Sequence, residues 1–460
     1  MVIGNKERIR NMTQNRVLDM TKGSPIRLLL QFALPLFLGN LLQQLYNLAD
    51  TSIAGHLLGD AAIAQIGATA ALYSLITNIA FGFNNGLALT VSRNFGAGNA
   101  KEVKRSVCWM TLLSAMLAVL MTVCFLGFRT SLMAALQVPE NTMAGALSYL
   151  TIILAGIPFT MAYNLEAGLL QAVGNSRTPL YFLLFSSVLN VLLDLLFMGP
   201  LELGVQGAAA ATILSQAISA VLGLFYLLHF YPDLHFGRDD LKVQPSFVTG
   251  MLWTGVSMAL MSAIYNIGSV ILQGSINALG NTYIAAQVGG RRLAEFFYTP
   301  GLALGTAAAT YSSQNYGAGK NARIRKGVLT AIGLYGIWWL IALAFVFLAA
   351  PAAVQAITGS TSPDVIENGV LYLKVSIPMI PPMAVLVILR NALQGMRHTL
   401  SPLICSTLEL AGKVIFALQL VPVYGYIAVC VCEPVTWVIC CAFILAATFL
   451  CRKEFRDPIR

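Results

Sequence analysis

Asn190 and Asp194 stand four residues apart in the run from Ser186 to Met198, whose other members are mainly Val, Leu and Phe. A helix there puts both on one face, one turn apart. An ionised Asp in lipid hydrocarbon costs on the order of 3 kcal/mol or more, so such residues face a partner or a water-filled path. The chemistry within reach is cation or proton binding. Asp50 is the second acidic candidate, closing a polar stripe of Asn40, Gln43, Gln44 and Asn47 that recurs every three or four residues and has to face protein or water. Thr212, about two turns below the outer end of its span, can lie in the same layer. Two close carboxylates in low dielectric cannot both stay ionised and unpaired, so either a proton binds or a cation sits between them. Asp carboxylate, Asn carbonyl and Thr hydroxyl are oxygen ligands suited to a hard cation, a mix that tilts the choice toward sodium. The competing reading makes the two aspartates protonated interhelical glue and lets Thr212 bond its own helix.

These residues need helices to hold them, and the composition supplies them. Of 460 residues, 57% are hydrophobic and 10% charged, against roughly 25% charged in soluble domains. An all-α integral membrane protein is expected. Twelve apolar spans fall near 28–53, 62–92, 106–128, 143–168, 178–198, 205–230, 247–274, 283–312, 328–350, 368–393, 400–421 and 425–450. The first 24 residues, with Lys6, Arg8, Arg10, Arg16 and Lys22, lack the apolar core of a cleavable signal and are expected to be a cytosolic tail.

With that tail inside, the loops near 93–105, 171–178, 231–246, 315–327 and 394–399 are cytosolic, as is the C-terminus. Of the 28 Lys and Arg, 22 then fall on the cytosolic side, five lie inside spans and Arg129 is the clear exception in an outer loop. The net charge of +9 is accordingly a topology signal. The basic residues are divided among short loops, which excludes nucleic acid as a partner. The eight Cys form no CxxC pair and the four His are scattered, so no metal is expected beyond a sodium at the cation site. No HExxH or GxSxG is present and no enzyme is expected.

The chain repeats itself. Asn94-Phe-Gly-Ala-Gly followed by basic residues recurs as Asn315-Tyr-Gly-Ala-Gly, Tyr46-Asn47 as Tyr265-Asn266, Ile157-Pro158 as Ile377-Pro378, and the pair Gln171/Pro179 as Gln394/Pro402, all at about 220 residues. A duplication of six spans follows. Six is even, so both copies enter the membrane in the same direction, as two pseudo-symmetric lobes with a cleft. The expected division is a cytosolic tail 1–24, a first lobe 25–231 that couples the ion, a linker 232–246, a second lobe 247–450 and a cytosolic tail 451–460. The glycine loops lack GxxxxGK[ST] spacing, and a tight turn between long helices is all they need.

The two Asn-aromatic-Gly-Ala-Gly loops, Gln171-Ala-Val-Gly-Asn-Ser-Arg-Thr-Pro179, Asn190-Val-Leu-Leu-Asp194 and Gly204-Val-Gln-Gly-Ala-Ala-Ala-Ala-Thr212 resemble the multidrug and toxic compound extrusion (MATE) family of secondary transporters over essentially the whole chain. The resemblance is to DinF-like members, whose ion-site residues would fall on Asp50, Asn190, Asp194 and Thr212. It also implies that Pro35 is where the first helix bends; packing alone is the other use of that proline. The NorM-like branch uses carboxylates in spans seven and ten, whereas here span seven has none and span ten carries Arg390.

The repeat maps Asp50 onto Ser269, and Asn190 and Asp194 onto Lys413 and Ala417, so the carboxylate pair belongs to the first lobe alone. Glu409 and Lys413, four apart, favour an internal ion pair. Glu295, Arg390, Glu409 and Lys413 are either structural pairs or cleft residues for substrate. The resemblance implies an antiporter in the cell membrane, exporting organic, drug-like and cationic compounds against inward sodium or proton. No cofactor and a monomeric state are expected. A flippase of lipid-linked saccharides is the alternative.

Overall fold

In a computed structural model the chain is described over residues 17–455. The expectations for residues 1–16, with Lys6, Arg8, Arg10 and Arg16, and for residues 456–460 lie outside the described residues. The elements are α1 (Pro25–Leu58), α2 (Asp60–Gly96), α3 (Ala100–Ala135), α4 (Glu140–Ala155), α5 (Ile157–Ala172), α6 (Arg177–Met198), α7 (Gly204–Phe230), α8 (Pro245–Ala278), α9 (Asn281–Gly317), α10 (Asn321–Thr358), α11 (Pro363–Ser376), α12 (Ile380–Gly395), α13 (Leu400–Ile415), α14 (Val421–Tyr424) and α15 (Tyr426–Leu450). There is no strand among the described residues.

Ten spans are long and apolar enough to cross a bilayer, α11 with α12 and α13 with α14 each making one, and α4 with α5 form an eleventh, bent by 46°. The remaining long helix, α9, carries Arg291, Arg292 and Glu295 and is less apolar. Counted as the twelfth, it completes two sets of six among the described residues. Largely exposed Phe225, Leu348 and Leu450 show apolar side chains turned outward, as a lipid-facing surface requires.

The expected continuous spans at 143–168 and 368–393 are both broken. The breaks coincide with the repeated Ile-Pro pairs: Gly156 ends α4 and Pro158 opens α5, while Ile377–Met379 form a short 3-10 turn between α11 and α12. Proline lacks the N–H that would continue the ladder, so each span restarts there. The repeated glycine loops are explained just as locally. Gly98 and Gly319 take φ of 69° and 67°, which side chains other than glycine rarely adopt. Asn94 Nδ2 donates to Ser106 Oγ at 2.7 Å, and Asn315 Nδ2 to the carbonyls of Tyr311 and Met20 at 2.8 and 3.0 Å.

Two compact units emerge. Among the described residues, the first comprises 17–19 and Leu38–Ala259, and the second comprises Met20–Phe37 and 260–455. The start of α1 thus packs with the second unit and the start of α8 with the first. In the second unit Leu29 and Phe32 are fully buried, and the Phe37 and Trp338 rings meet edge-on at 6.1 Å. Arg323 also donates to the Gly23 carbonyl at 3.0 Å. In the first unit, α8 approaches α2 so closely that a Cβ on Gly86 would lie 2.6 Å from the Thr254 carbonyl oxygen. That unit's core runs through Leu87, Val91, Met110, Met133, Leu150 and Leu170.

Candidate functional site

In the first unit α6 and α7 pack side by side because α7 presents Gly207, Ala208, Ala209 and Ala211, the alanines nearly free of solvent. Small side chains let helix backbones approach closely. Asn190 and Asp194 on α6 and Thr212 on α7 are all buried, at 0%, 0% and 3% exposure. With its amide oriented to satisfy both atoms, Asn190 Nδ2 donates to Asp194 Oδ2 at 2.8 Å and Asn190 Oδ1 accepts from the Thr212 backbone N–H at 3.1 Å. The Thr212 hydroxyl donates to the Ala208 carbonyl at 3.1 Å.

Asp50 enters this group from α1, and its carboxyl is hydrogen-bonded to that of Asp194. Two carboxylates offer only acceptors, so a hydrogen bond between them forms only when one of them carries a proton. Asp50 Oδ1 and Asp194 Oδ1 are buried and have no hydrogen-bond partner. Leaving charged oxygens unpaired in a protein interior is costly. The structure therefore brings Asp50, Asn190, Asp194 and Thr212 together in one unit.

Three tyrosines complete the surroundings, and sequence reasoning assigned none of them to the site. The Tyr46 hydroxyl bonds the Thr212 side chain. Tyr73 bonds Gln216 and Thr77 and lies near Asp50, and Tyr149 lies near both carboxyls. Gln216 is held in turn by Thr160, whose hydroxyl donates to Gln216 Oε1 at 2.6 Å. Tyr46 carried a signal, since it precedes Asp50 by one helical turn and recurs in the repeat as Tyr265. Tyr73 and Tyr149 sit on other helices and carried none.

The polar residues preceding Asp50 behave differently. Asn40, Gln43, Gln44 and Asn47 lie on an exposed face of α1, with Gln43 Nε2 donating to Asn47 Oδ1 at 3.2 Å. Pro35 is buried within α1 and belongs to the second unit, ahead of the point between Phe37 and Leu38 where the helix changes allegiance.

The remaining charged candidates lie in the second unit. Glu409 bridges two cations, its Oε1 lying 3.5 Å from Lys413 Nζ and its Oε2 lying 3.6 Å from an Arg390 nitrogen. Lys413 also sits over the Tyr265 ring at 4.1 Å. Glu295 pairs with Arg291 at 2.9 Å on the same helix and is half exposed. Buried Glu433 accepts from the Tyr372 hydroxyl at 3.2 Å.

Fold and site together define a class: a multi-pass, all-helical membrane protein built from a duplicated six-helix half, with a carboxyl pair buried in one half only. The MatE family profile matches residues 35–196 and again residues 257–418, once in each half. The chain belongs to that family, the multidrug and toxic compound extrusion transporters. It is 28% identical over 307 residues to the "Probable multidrug resistance protein YpnP" of Bacillus subtilis (strain 168), covering 66% of this chain and 68% of the relative. It is 25% identical over 406 residues to the "FAD transporter" of Shewanella oneidensis, covering 87% and 88%. Its fold is similar to that in the crystal structure of MATE in complex with MaL6, with a TM-score of 0.86 at 21% identity, covering 96% of this chain and 99% of that one.

Proposed function

We propose that this chain is a secondary antiporter of the cell membrane that exports small organic compounds by alternating access, driven by inward movement of a cation held at Asp50 and Asp194, with Asn190 and Thr212 positioning them. The observation that carries this is the neighbouring carboxyl pair from α1 and α6, each with a buried oxygen that no protein group satisfies. Membership of the MatE family and relatives bearing multidrug resistance names support the export direction and a drug-like substrate. The relative named as an FAD transporter supports keeping cargo other than organic cations within the proposal.

Both ions stay in the proposal, and the geometry separates their requirements. With Asn190 Oδ1 accepting from Thr212 N–H and the Thr212 hydroxyl bonded to Ala208, two carboxylate oxygens are left. A proton needs nothing more. Sodium requires the Asn190 amide to turn and lend its oxygen, since a hard cation collects several oxygen ligands. One charge moving down ~100 mV supplies about 2.3 kcal/mol, enough for roughly 50-fold accumulation. Pro35, with no N–H to hold the helix ladder, is the proposed bending point of α1.

The test is dye efflux from vesicles containing the purified protein, with sodium and pH gradients imposed separately. Asp50→Asn and Asp194→Asn each abolish ion-driven efflux while leaving membrane insertion intact. Because the two act as one unit, the double variant is no worse than either single one. Efflux at the parent's rate in either single variant refutes the site.

A further inference from the structure

His398 lies in the turn between α12 and α13, and Cys451 and Glu454 lie just beyond α15, all in the second unit. His398 Nε2 is 2.9 Å from Glu454 Oε2, and Cys451 Sγ is 3.9 Å from His398 Nδ1. One donor atom from each of the three falls within 4.8 Å of the other two. Bonds of ~2.0–2.3 Å to nitrogen, oxygen and sulfur around a tetrahedral ion hold ligand atoms ~3.3–3.8 Å apart. The three side chains are thus within about an ångström of closing on one ion, with one ring nitrogen of His398 as ligand.

The internal repeat provides a second, independent observation. The offset that relates Gln171 to Gln394 carries Asn175 onto His398, Leu228 onto Cys451 and Tyr231 onto Glu454. In the first half Asn175 Nδ2 donates to the Tyr231 hydroxyl at 2.7 Å. Both halves therefore latch the same turn to the same point beyond the last helix of the half. The first does so with a neutral amide and a phenol; the second has imidazole and carboxylate at those positions, and a thiol where the repeat places Leu228. A plain latch does not require that set.

We propose that His398, Cys451 and Glu454 form a site for a zinc-type divalent metal ion, which clips the α12–α13 turn to the segment following α15. Thiolate and imidazole ligands select a borderline-soft ion over sodium, magnesium or calcium. Three protein ligands leave a fourth position open to water, as in zinc sites that keep an exchangeable ligand. The His398 and Glu454 side chains keep 26% and 42% of their exposure, so an ion reaches them without unfolding. This site is separate from the carboxyl pair in the first unit and does not depend on its role.

The experiment titrates the full-length protein, purified with a chelator and kept in detergent or nanodiscs, with Co2+ and then competes with Zn2+. One Co2+ binds per chain with a sulfur-to-cobalt charge-transfer absorption, and Zn2+ displaces it. Cys451→Ser removes that absorption and weakens binding roughly tenfold or more. The double variant His398→Asn with Glu454→Tyr, which rebuilds the latch of the first half, folds and does not bind. Zn2+ raises the unfolding temperature of the parent and of neither variant. No saturable binding by the parent, or binding unchanged in both variants, overturns the proposal and leaves a plain His–Glu contact.

Discussion

Lys413 shows how the two halves have diverged at a single residue. It stands where the repeat places Asn190, and it sits against Tyr265, the counterpart of Tyr46. Where the first unit leaves carboxylate oxygens without partners, the second brings its own permanent cation on a tether and satisfies Glu409 internally. Removing one partner from a buried pair leaves an uncompensated charge, whereas removing both can be nearly neutral. Glu409→Leu, which strands both Lys413 and Arg390, should therefore destabilise the protein by about 3–5 kcal/mol, read from thermal unfolding in detergent, while the triple variant that adds Lys413→Met and Arg390→Met should recover much of that loss. Equal loss in both shows that stranded charge is not what the single substitution costs. The residue types in this cluster were legible in the sequence; that Arg390 shares Glu409 was not, because the two lie on helices whose relative rotation the sequence does not state.

At the scale of elements, helix lengths followed from runs of apolar side chains, but the breaks within them did not. A mid-span proline is compatible with a kinked continuous helix or with a restart, and packing selects between these. Helix approach is decided by single glycines whose importance is equally silent in sequence. A Cβ on Gly395 of α12 would meet the Ala309 carbonyl oxygen at 2.5 Å and the Ser313 nitrogen at 2.9 Å, both backbone atoms of α9, whereas one on Gly336 of α10 would meet nothing within 4 Å. Backbone atoms cannot rotate away. Gly395→Ala should cost about 1–3 kcal/mol or more by forcing α9 and α12 apart. Gly336→Ala should be neutral or stabilising by up to about 1 kcal/mol, since alanine is the better helix former. Unfolding temperatures of the two variants compare them directly, and a harmless Gly395→Ala would refute this account of the contact.

For the whole molecule, the even number of spans has a consequence that can be measured without any transport assay. Twelve spans put the first and last described residues on the same side of the membrane, and the placement of Lys and Arg predicts that side to be the cytosol. Tags at the two ends should therefore react together with a membrane-impermeant reagent in inverted vesicles, and neither should react in intact cells. Labelling from opposite sides would break the twelve-span arrangement. The two compact units add what a count of spans leaves out, because α1 and α8 each begin in one unit and end in the other. Residues 25–37 and 245–259 are the parts of those helices that pack outside the half to which chain order assigns them.

The sequence by itself determined the membrane environment, the duplication and the direction in which the halves enter, because these depend on local hydropathy, charge and repeated spacing. It also singled out Asp50, Asn190, Asp194 and Thr212 as expensive or polar residues in apolar surroundings. Only the tertiary structure decided that these four meet, that the Asn190 amide turns its N–H toward Asp194, that Tyr73 and Tyr149 join them, and that His398 finds Cys451 and Glu454 across more than fifty residues. Periodicity reports which face of a helix a side chain occupies; which faces come together depends on the close packing of many helices at once, and no single segment contains that information.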